Sequence, residues 1–236
     1  MIMKIGIIGA TTFDTDYLIY NLKSKVRHVE EHHIANAHIA EFRHLDFDIV
    51  VCTSGCGKVD SAAAISILLS KFQCSYVISI GSCGSLTTSL RPGALAIPKS
   101  IALYDWRKSK SNKPMKLTTS DFLRRKLQKA CSKQCLLPSG LDCIAATGDT
   151  FINRRKQIKF FNIDKIHPAV VDMESGSIGQ VCQAFQVPFA ILRQVTNICD
   201  ASAHSENKHK VSAQLSFVVL QFLESLSSSV ISSERS

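Results

Sequence analysis

Tyr76-Val-Ile-Ser-Ile-Gly-Ser-Cys-Gly84 is the stretch that decides the fold. Tyr76–Ile80 lacks the polar alternation of a half-solvated strand, so it reads as a strand buried on both faces, ending in a glycine-rich turn at Gly81-Ser-Cys-Gly84. The same pattern recurs outward along the chain. Ile5–Ile8 is apolar and ends at Gly9. Asp48–Thr53 ends in Ser54-Gly-Cys-Gly, Asp142–Thr147 in Gly148-Asp-Thr, and Pro188–Val195 in Thr196-Asn-Ile-Cys-Asp200. Helical stretches lie between them: Asp16–Lys25, Lys58–Lys71, Asp121–Lys133 behind Ser120 as N-cap, and Met173–Phe185 with Ile178, Val181, Cys182 and Phe185 on one face. Val211, Leu215, Val218, Phe222 and Leu226 mark a last helix, residues 26–47 one or two antiparallel strands, and Gly93–Pro98 and Ile101–Tyr104 short strands. Buried strands alternating with helices predict an α/β chain with a mainly parallel, helix-covered sheet. With no repeat or linker, residues 1–228 read as one domain and residues 229–236 as a frayed serine-rich tail.

The bulk properties narrow the function. Hydrophobic residues make up 45% of the 236 and charged residues 20%, enough for a sizeable core. The apolar start contains Lys4 and lacks a small-residue cleavage site, so it reads as a strand and not a signal peptide; no stretch is long enough to cross a bilayer. Nine cysteines, an odd number without a secretory signal, point to reduced thiols and a cytoplasmic protein. Cys52-x-x-x-Cys56 and Cys131-x-x-x-Cys135 lack zinc spacing, and no metal site is expected. The net charge of +9 gathers in residues 106–133, where ten Lys/Arg meet only Asp121. Trp106 and Phe122 are its only aromatics, too few to interleave with these charges as a nucleic-acid platform needs, so it reads as a solvated face.

In open α/β sheets ligands bind beyond the carboxyl ends of the strands. Polar or glycine-rich turns stand there: Gly9-Ala-Thr-Thr-Phe-Asp14, Gly81-Ser-Cys-Gly84, Gly148-Asp-Thr-Phe-Ile-Asn153 and Thr196-Asn-Ile-Cys-Asp200, joined by Asp172-Met-Glu174 at a helix start. Gly6-x-x-Gly9 is not G-x-G-x-x-G, and no P-loop occurs, so dinucleotide and nucleoside-triphosphate sites lose their best support.

Six segments in order carry a resemblance: Met3-Lys-Ile-Gly-Ile-Ile-Gly-Ala10, Ser54-Gly-Cys-Gly-Lys-Val59, Ile80-Gly-Ser-Cys-Gly-Ser-Leu86, Thr147-Gly-Asp-Thr-Phe-Ile-Asn153, Val171-Asp-Met-Glu174 and Val187-Pro-Phe-Ala-Ile-Leu-Arg193. Over nearly its whole length the chain resembles the purine nucleoside phosphorylase superfamily. Within it, the match is to the hydrolytic branch of methylthioadenosine/S-adenosylhomocysteine nucleosidases and futalosine hydrolases. The resemblance implies a three-layer α/β/α domain around a mixed, mainly parallel sheet, usually a homodimer, acting on a small purine nucleoside without metal or organic cofactor.

It also implies roles. Breaking a purine–ribose bond builds positive charge on the sugar and negative charge on the base. Glu174 would hold the sugar hydroxyls, with Met173 packed on the ribose; otherwise Glu174 is a helix-start carboxylate. Phe151 and Ile152 would take the base by stacking and backbone bonds, Ser82 and Gly84 would seat the nucleophile and ribose, Cys56 would face the 5′ substituent, and Cys199 joins the substrate-contacting set. Two positions depart from the nucleosidases. Asn197 stands where they carry the aspartate that protonates N7. An amide cannot do this, but its carbonyl could meet an N7–H and its NH₂ a 6-oxo group, which favours hypoxanthine over adenine. Asp14 replaces their first-loop glutamate, either orienting the water or lying as a surface loop acid.

Phosphorolysis is the rival. Superfamily phosphorylases carry an arginine before the central glycine motif, where this chain has Ser79, and its first loop has no arginine. Water is therefore the expected nucleophile. The predicted function is hydrolysis of a 5′-modified purine nucleoside, leaning to futalosine or its 6-amino form in menaquinone biosynthesis, with Arg107 suited to the substrate's benzoate. His204 and His209 lie on a loop that could close the pocket, and read first as solvated loop histidines. The alternatives are a methylthioadenosine/S-adenosylhomocysteine nucleosidase and a nucleoside-binding protein without turnover.

Overall fold

The computed structural model describes residues 2–26, 28–44, 46–107, 114–132, 140–199 and 208–233; the side chains of Arg107, residues 208–212 and residues 227–233 lie outside the description. In chain order the elements are β1 (Lys4–Gly9), α1 (Thr12–Lys23), β2 (Val29–Ile34), β3 (Ala37–Arg43), β4 (Asp48–Thr53), α2 (Gly57–Ser70), β5 (Tyr76–Ser85) and β6 (Leu95–Ile97). Then follow β7 (Ser100–Arg107), β8 (Pro114–Thr118), α3 (Asp121–Ser132), β9 (Gly140–Leu141), β10 (Ile144–Thr147), α4 (Arg155–Phe160), a 3₁₀ turn (Ile163–Ile166), β11 (Val170–Asp172), α5 (Ser175–Ala184), β12 (Phe189–Asn197) and α6 (Lys208–Ser233).

The strands join one mixed sheet, in the order β2-β3-β4-β1-β5-β11-β10-β7-β8, with β12 on β5 and β6 beyond it. Helices cover both faces. Leu18, Leu22, Leu123, Leu127, Leu215, Val218 and Phe222 bind α1, α3 and α6 into one core layer. Ile65, Leu68, Ile178 and Cys182 bind α2 and α5 into the other. Each such fully buried side chain contributes about 1.5–3 kcal/mol. The three-layer α/β/α architecture is thus present.

β5 is the pivot. One of its edges pairs parallel with β1 over Tyr76–Ser79 and then antiparallel with β11 at Gly84 and Ser85. The other edge pairs with β12 from Val77 to Gly84. Between β1 and β11 no described ladder covers Ile80–Cys83, so the sheet splits there and opens a cleft with main chain as its floor. This corrects the reading of Gly81-Ser-Cys-Gly84 as a turn: the motif lies inside β5. Its glycines answer the close approach of neighbouring chain, not a reversal.

Other boundaries differ too. α1 starts at Thr12 because Thr11 and Asp14 form a reciprocal capping box, so Asp14 belongs to the first helical turn and not to a loop. α5 starts after Glu174, whose own backbone is non-helical. Phe185, placed on the buried face from its spacing, closes that helix half-exposed. α6 continues to Ser233, so much of the serine-rich stretch has helical backbone. In the basic region Arg125 and Lys129 are solvated, while Arg124 is buried between Asp121 and Asp142; Lys108, Lys110, Lys113 and Lys133 lie outside the described residues.

Candidate active site

The cleft at the β1–β11 divergence is a cavity of about 180 Å³. Six chain segments reach it: the β1–α1 corner (Thr11, Asp14), the start of α2 (Cys56), the floor of β5 (Ser79–Gly84), the β10–α4 segment (Thr150–Ile152), the β11–α5 corner (Met173, Glu174) and the end of β12 (Arg193, Asn197). Asp14, Cys56, Ser82, Gly84, Phe151, Ile152, Met173, Glu174 and Asn197, all singled out from the sequence, therefore share one cavity.

Asp14 is 5% exposed, which removes the surface-acid alternative. Its Oδ2 accepts from the Thr11 N–H at 2.8 Å and the Thr11 hydroxyl at 2.9 Å. Burial raises its pKa, against those two bonds and the charge of Arg193. Its other oxygen faces Gly81: a Cβ there would lie 3.4 Å from Asp14 Oδ1 and 3.7 Å from Arg193 Nη1, so carboxylate and guanidinium converge on one point of the floor.

Glu174 Oε1 accepts from the Gly57 N–H at 2.9 Å. Burial, then the charges of Asp172 and Asp14, push its pKa to about 7, while the Gly57 bond and Arg193 pull the other way. Arg193 is 2% exposed. Its Nε donates to Asp172 Oδ2 at 2.8 Å, and its Nη2 donates to Ser79 Oγ at 3.0 Å and Ser175 Oγ at 2.9 Å. Burial opposes its charge, but Asp172 and Glu174 outweigh burial and hold it ionised. The reading that no arginine serves this pocket on the first loop or at Ser79 stands, but Arg193 brings a guanidinium from β12. Because Asp172 already neutralises it, it cannot by itself supply the several cationic ligands a doubly charged phosphate needs.

Asn197 requires a correction. Its Oδ1 accepts from the Cys199 N–H at 3.1 Å and lies 3.6 Å from the Cys199 thiol. Only the amide oxygen can accept from that N–H, which fixes the amide's orientation. The carbonyl thus accepts within its own loop, while the NH₂ donates at 3.4 Å to Thr196 Oγ1 and keeps its second N–H for the cavity. Cys199 is likewise not a wall of this cavity: it is buried behind Asn197, lining a separate depression with Ile198 and Arg91.

Gly84 makes this arrangement possible. A Cβ there would lie 2.3 Å from Cys199 Sγ and 3.0 Å from Asn197 Oδ1. Gly84→Ala is therefore expected to displace Asn197 and to cost on the order of 10²-fold in kcat/KM. Steady-state kinetics at a temperature where the variant is still folded checks it, beside a thermal melt that the overpacking should lower by only a few degrees.

Sequence reasoning missed the Arg193–Asp172–Ser79–Ser175 cluster. The signal was a charge directly after the apolar run Phe189–Leu192 and within the same strand, because a buried arginine needs a buried acid. The other suggested groups fall outside the description: the side chains of Arg107 and His209, and His204 altogether. Among the described residues, Glu30, His32 and Glu41 on the β2–β3 hairpin are grouped closely enough to hold a cation. Glu41 already pairs with Lys4, and Glu30 with His28 and Arg43, and the hairpin does not line the cleft.

Residues 4–227 match the family model described as the phosphorylase superfamily. The chain belongs to the phosphorylase superfamily. It is 31% identical to a 5′-methylthioadenosine/S-adenosylhomocysteine nucleosidase of Buchnera aphidicola, across 95% of this chain and 99% of that protein. Two solved superfamily structures share its fold. The futalosine hydrolase of Helicobacter pylori superposes with a TM-score of 0.86 at 21% identity, over 95% of this chain and 99% of that one. The 5′-methylthioadenosine/S-adenosylhomocysteine nucleosidase of the same organism, solved with butyl-thio-DADMe-Immucillin-A, superposes with a TM-score of 0.86 at 22% identity and the same coverage. At these identities the superpositions speak for the fold. No helix among the described residues is long and apolar enough to cross a membrane.

Proposed function

We propose that this superfamily member hydrolyses the N-glycosidic bond of a 5′-modified 6-oxopurine nucleoside. The observation that carries the reading is the pairing, in one cleft, of the Glu174 carboxylate with an Asn197 whose carbonyl accepts from Cys199 N–H and whose NH₂ keeps one N–H for a ligand.

Glu174, ionised, lies under the ribose, holds its hydroxyls and offsets the positive charge that grows at C1′. Met173 packs on the sugar. Asp14, beside Arg193, orients a water over the β5 floor, with Ser82 and Gly84 shaping its seat. As the C1′–N9 bond breaks, its electron pair goes to the purine. The water oxygen bonds to C1′, and its proton passes to Asp14. The purine leaves as an anion, stabilised by the Asn197 N–H, and takes its proton from solvent. Phe151, 57% exposed at the cleft mouth, is placed to stack on the base, and Ile152 to meet it through its backbone. Cys56 faces the 5′ substituent.

The Asn197 orientation favours the 6-oxo ring. Hypoxanthine presents two neighbouring acceptors, N7 and O6, to an NH₂ group. Adenine presents N7 beside an amino group, which would oppose the Asn197 donor. The first expectation set the carbonyl against N7–H; with the carbonyl held by Cys199, the same preference follows from donors alone. This supports futalosine as substrate and, with it, a place in menaquinone biosynthesis. The nine cysteines without a secretory signal support a cytoplasmic protein, and the family resemblance supports a homodimer, which sedimentation at twice the chain mass tests. The curated relatives named for methylthioadenosine and S-adenosylhomocysteine support the second reading.

A panel decides. Hypoxanthine release from futalosine should exceed adenine release from 5′-methylthioadenosine by at least about tenfold in kcat/KM, as a mismatched polar group in a buried site costs 1 kcal/mol or more. Faster adenine release would overturn the 6-oxo preference. Tight binding of both without free base would make the chain a binding protein.

A further inference from the structure

We propose that Lys58 is a positioning residue of the nucleoside site: by holding Asp105 and Asp149 together it fixes both the Gly57 amide on Glu174 and the base-side segment 148–152. The inference deepens the proposed function and rests on it for what the two positioned groups contact.

A helix begins with N–H groups that have no partner inside it. At the start of α2, Cys56 supplies no side-chain cap. Two carboxylates from distant strand ends take its first amides instead. Glu174, after β11, accepts from Gly57 N–H at 2.9 Å, and Asp149, after β10, accepts from Lys58 N–H at 2.7 Å. Sugar-side and base-side segments are thus referenced to consecutive peptide groups. Gly57 is left-handed, φ +86°, and a Cβ on it would stand 3.0 Å from Asp149 Oδ1, so the corner is shaped to bring that carboxylate close.

The Lys58 side chain closes the ring. Its Nζ lies 2.7 Å from Asp105 Oδ2 and 3.9 Å from Asp149 Oδ2. The same Asp105 oxygen accepts the Asp149 N–H at 3.0 Å. One ammonium therefore balances two neighbouring carboxylates and links β7, the β10–α4 segment and the β4–α2 corner. Ion pairs this exposed usually add about 0–1 kcal/mol to stability. The consequence of Lys58 is therefore geometric, felt at Glu174 and at Phe151–Ile152.

The test is the titration of Glu174, followed by NMR of the ligand-free protein carrying ¹³C-labelled glutamate, in Lys58→Met, Lys58→Arg and Asp105→Asn. Asp172, Arg193 and Asp14, the charged groups that face Glu174 from β11, β12 and α1, stay the same in all three. Loosening the ring weakens the Gly57 bond, so the Glu174 midpoint should rise in Lys58→Met by about half a unit or more. It should rise in Asp105→Asn as well, although deleting a nearby negative charge would by Coulomb's law alone lower it. Lys58→Arg should restore the wild-type midpoint. With futalosine and 5′-methylthioadenosine, Lys58→Met should lower kcat/KM about 10- to 100-fold, both through KM and through kcat. An unchanged midpoint in Lys58→Met, or a fall in Asp105→Asn, overturns the proposal. If the wild type cleaves neither nucleoside, the activity assignment fails, and the titration still decides the role of Lys58.

Discussion

Glu174→Gln should lower kcat by about 10³-fold or more, roughly 4 kcal/mol of transition-state stabilisation, while KM changes only a few-fold. The amide keeps the size of the side chain and an oxygen for the Gly57 N–H, so what is lost is the charge under the developing sugar cation. The same residue sets a pH dependence. Its carboxyl is pushed from 4.5 to about 7 by burial, with Asp172 and Asp14 adding and the Gly57 bond and Arg193 subtracting. With the ionised form active in the proposed reaction, kcat/KM should climb about tenfold per pH unit below 7 and level off above it. The stability effect has the opposite sense. A carboxyl whose pKa is higher folded than unfolded binds its proton more tightly in the fold. Its favourable contribution is complete below the unfolded value and is lost as pH rises through about 7. Glu174→Gln should therefore melt no lower than wild type at pH 8 while being nearly inactive. An inactive variant with a depressed melting temperature would mean that Glu174 serves the fold and not the reaction.

Asn197→Asp should turn the base preference round. One carboxylate oxygen can still accept from Cys199 N–H, but the other replaces the NH₂. Protonated, it can deliver a proton to N7, a form of catalysis typically worth 10²–10⁴-fold. Ionised, it repels O6 and accepts from a 6-amino group. The ratio of adenine release from 5′-methylthioadenosine to hypoxanthine release from futalosine should rise by about 10²-fold, measured as the two kcat/KM values in parallel. An unchanged ratio would show that position 197 does not read the 6-substituent.

The sheet was legible because β1, β4, β5 and β12 are buried on both faces, and such strands must be apolar throughout. The cleft was legible because strand ends at a topological switch carry the groups that cannot be spared for the core. What escaped depends on non-local or orientational facts. Arg193 looked like part of a strand, and only the approach of Asp172 and Ser79 shows where its charge goes. Asp14 was read into a loop because the Thr11–Asp14 capping box moves the helix start forward. The glycines of β5 read as a turn signal in the sequence, whereas Gly84 is small because Cys199 and Asn197 press on it. The direction of the Asn197 amide is fixed by a backbone N–H two residues on, a local bond that residue types alone did not disclose. Lys58 gave no signal, because a lysine in a helix start is ordinary until its two acids are seen.

Where β1 and β11 part from the same edge of β5, the floor presented to a ligand includes the peptide groups from Ile80 to Cys83. Replacement at Ile80, Ser82 or Cys83 leaves the same amides and carbonyls in place, whereas a side chain at Gly81 would enter the point where Asp14 and Arg193 converge. On the proposed reading, diversification of substrate choice is therefore channelled to the rim, where Asn197, Phe151 and Cys56 stand. The place where the glycosidic bond must lie stays constant.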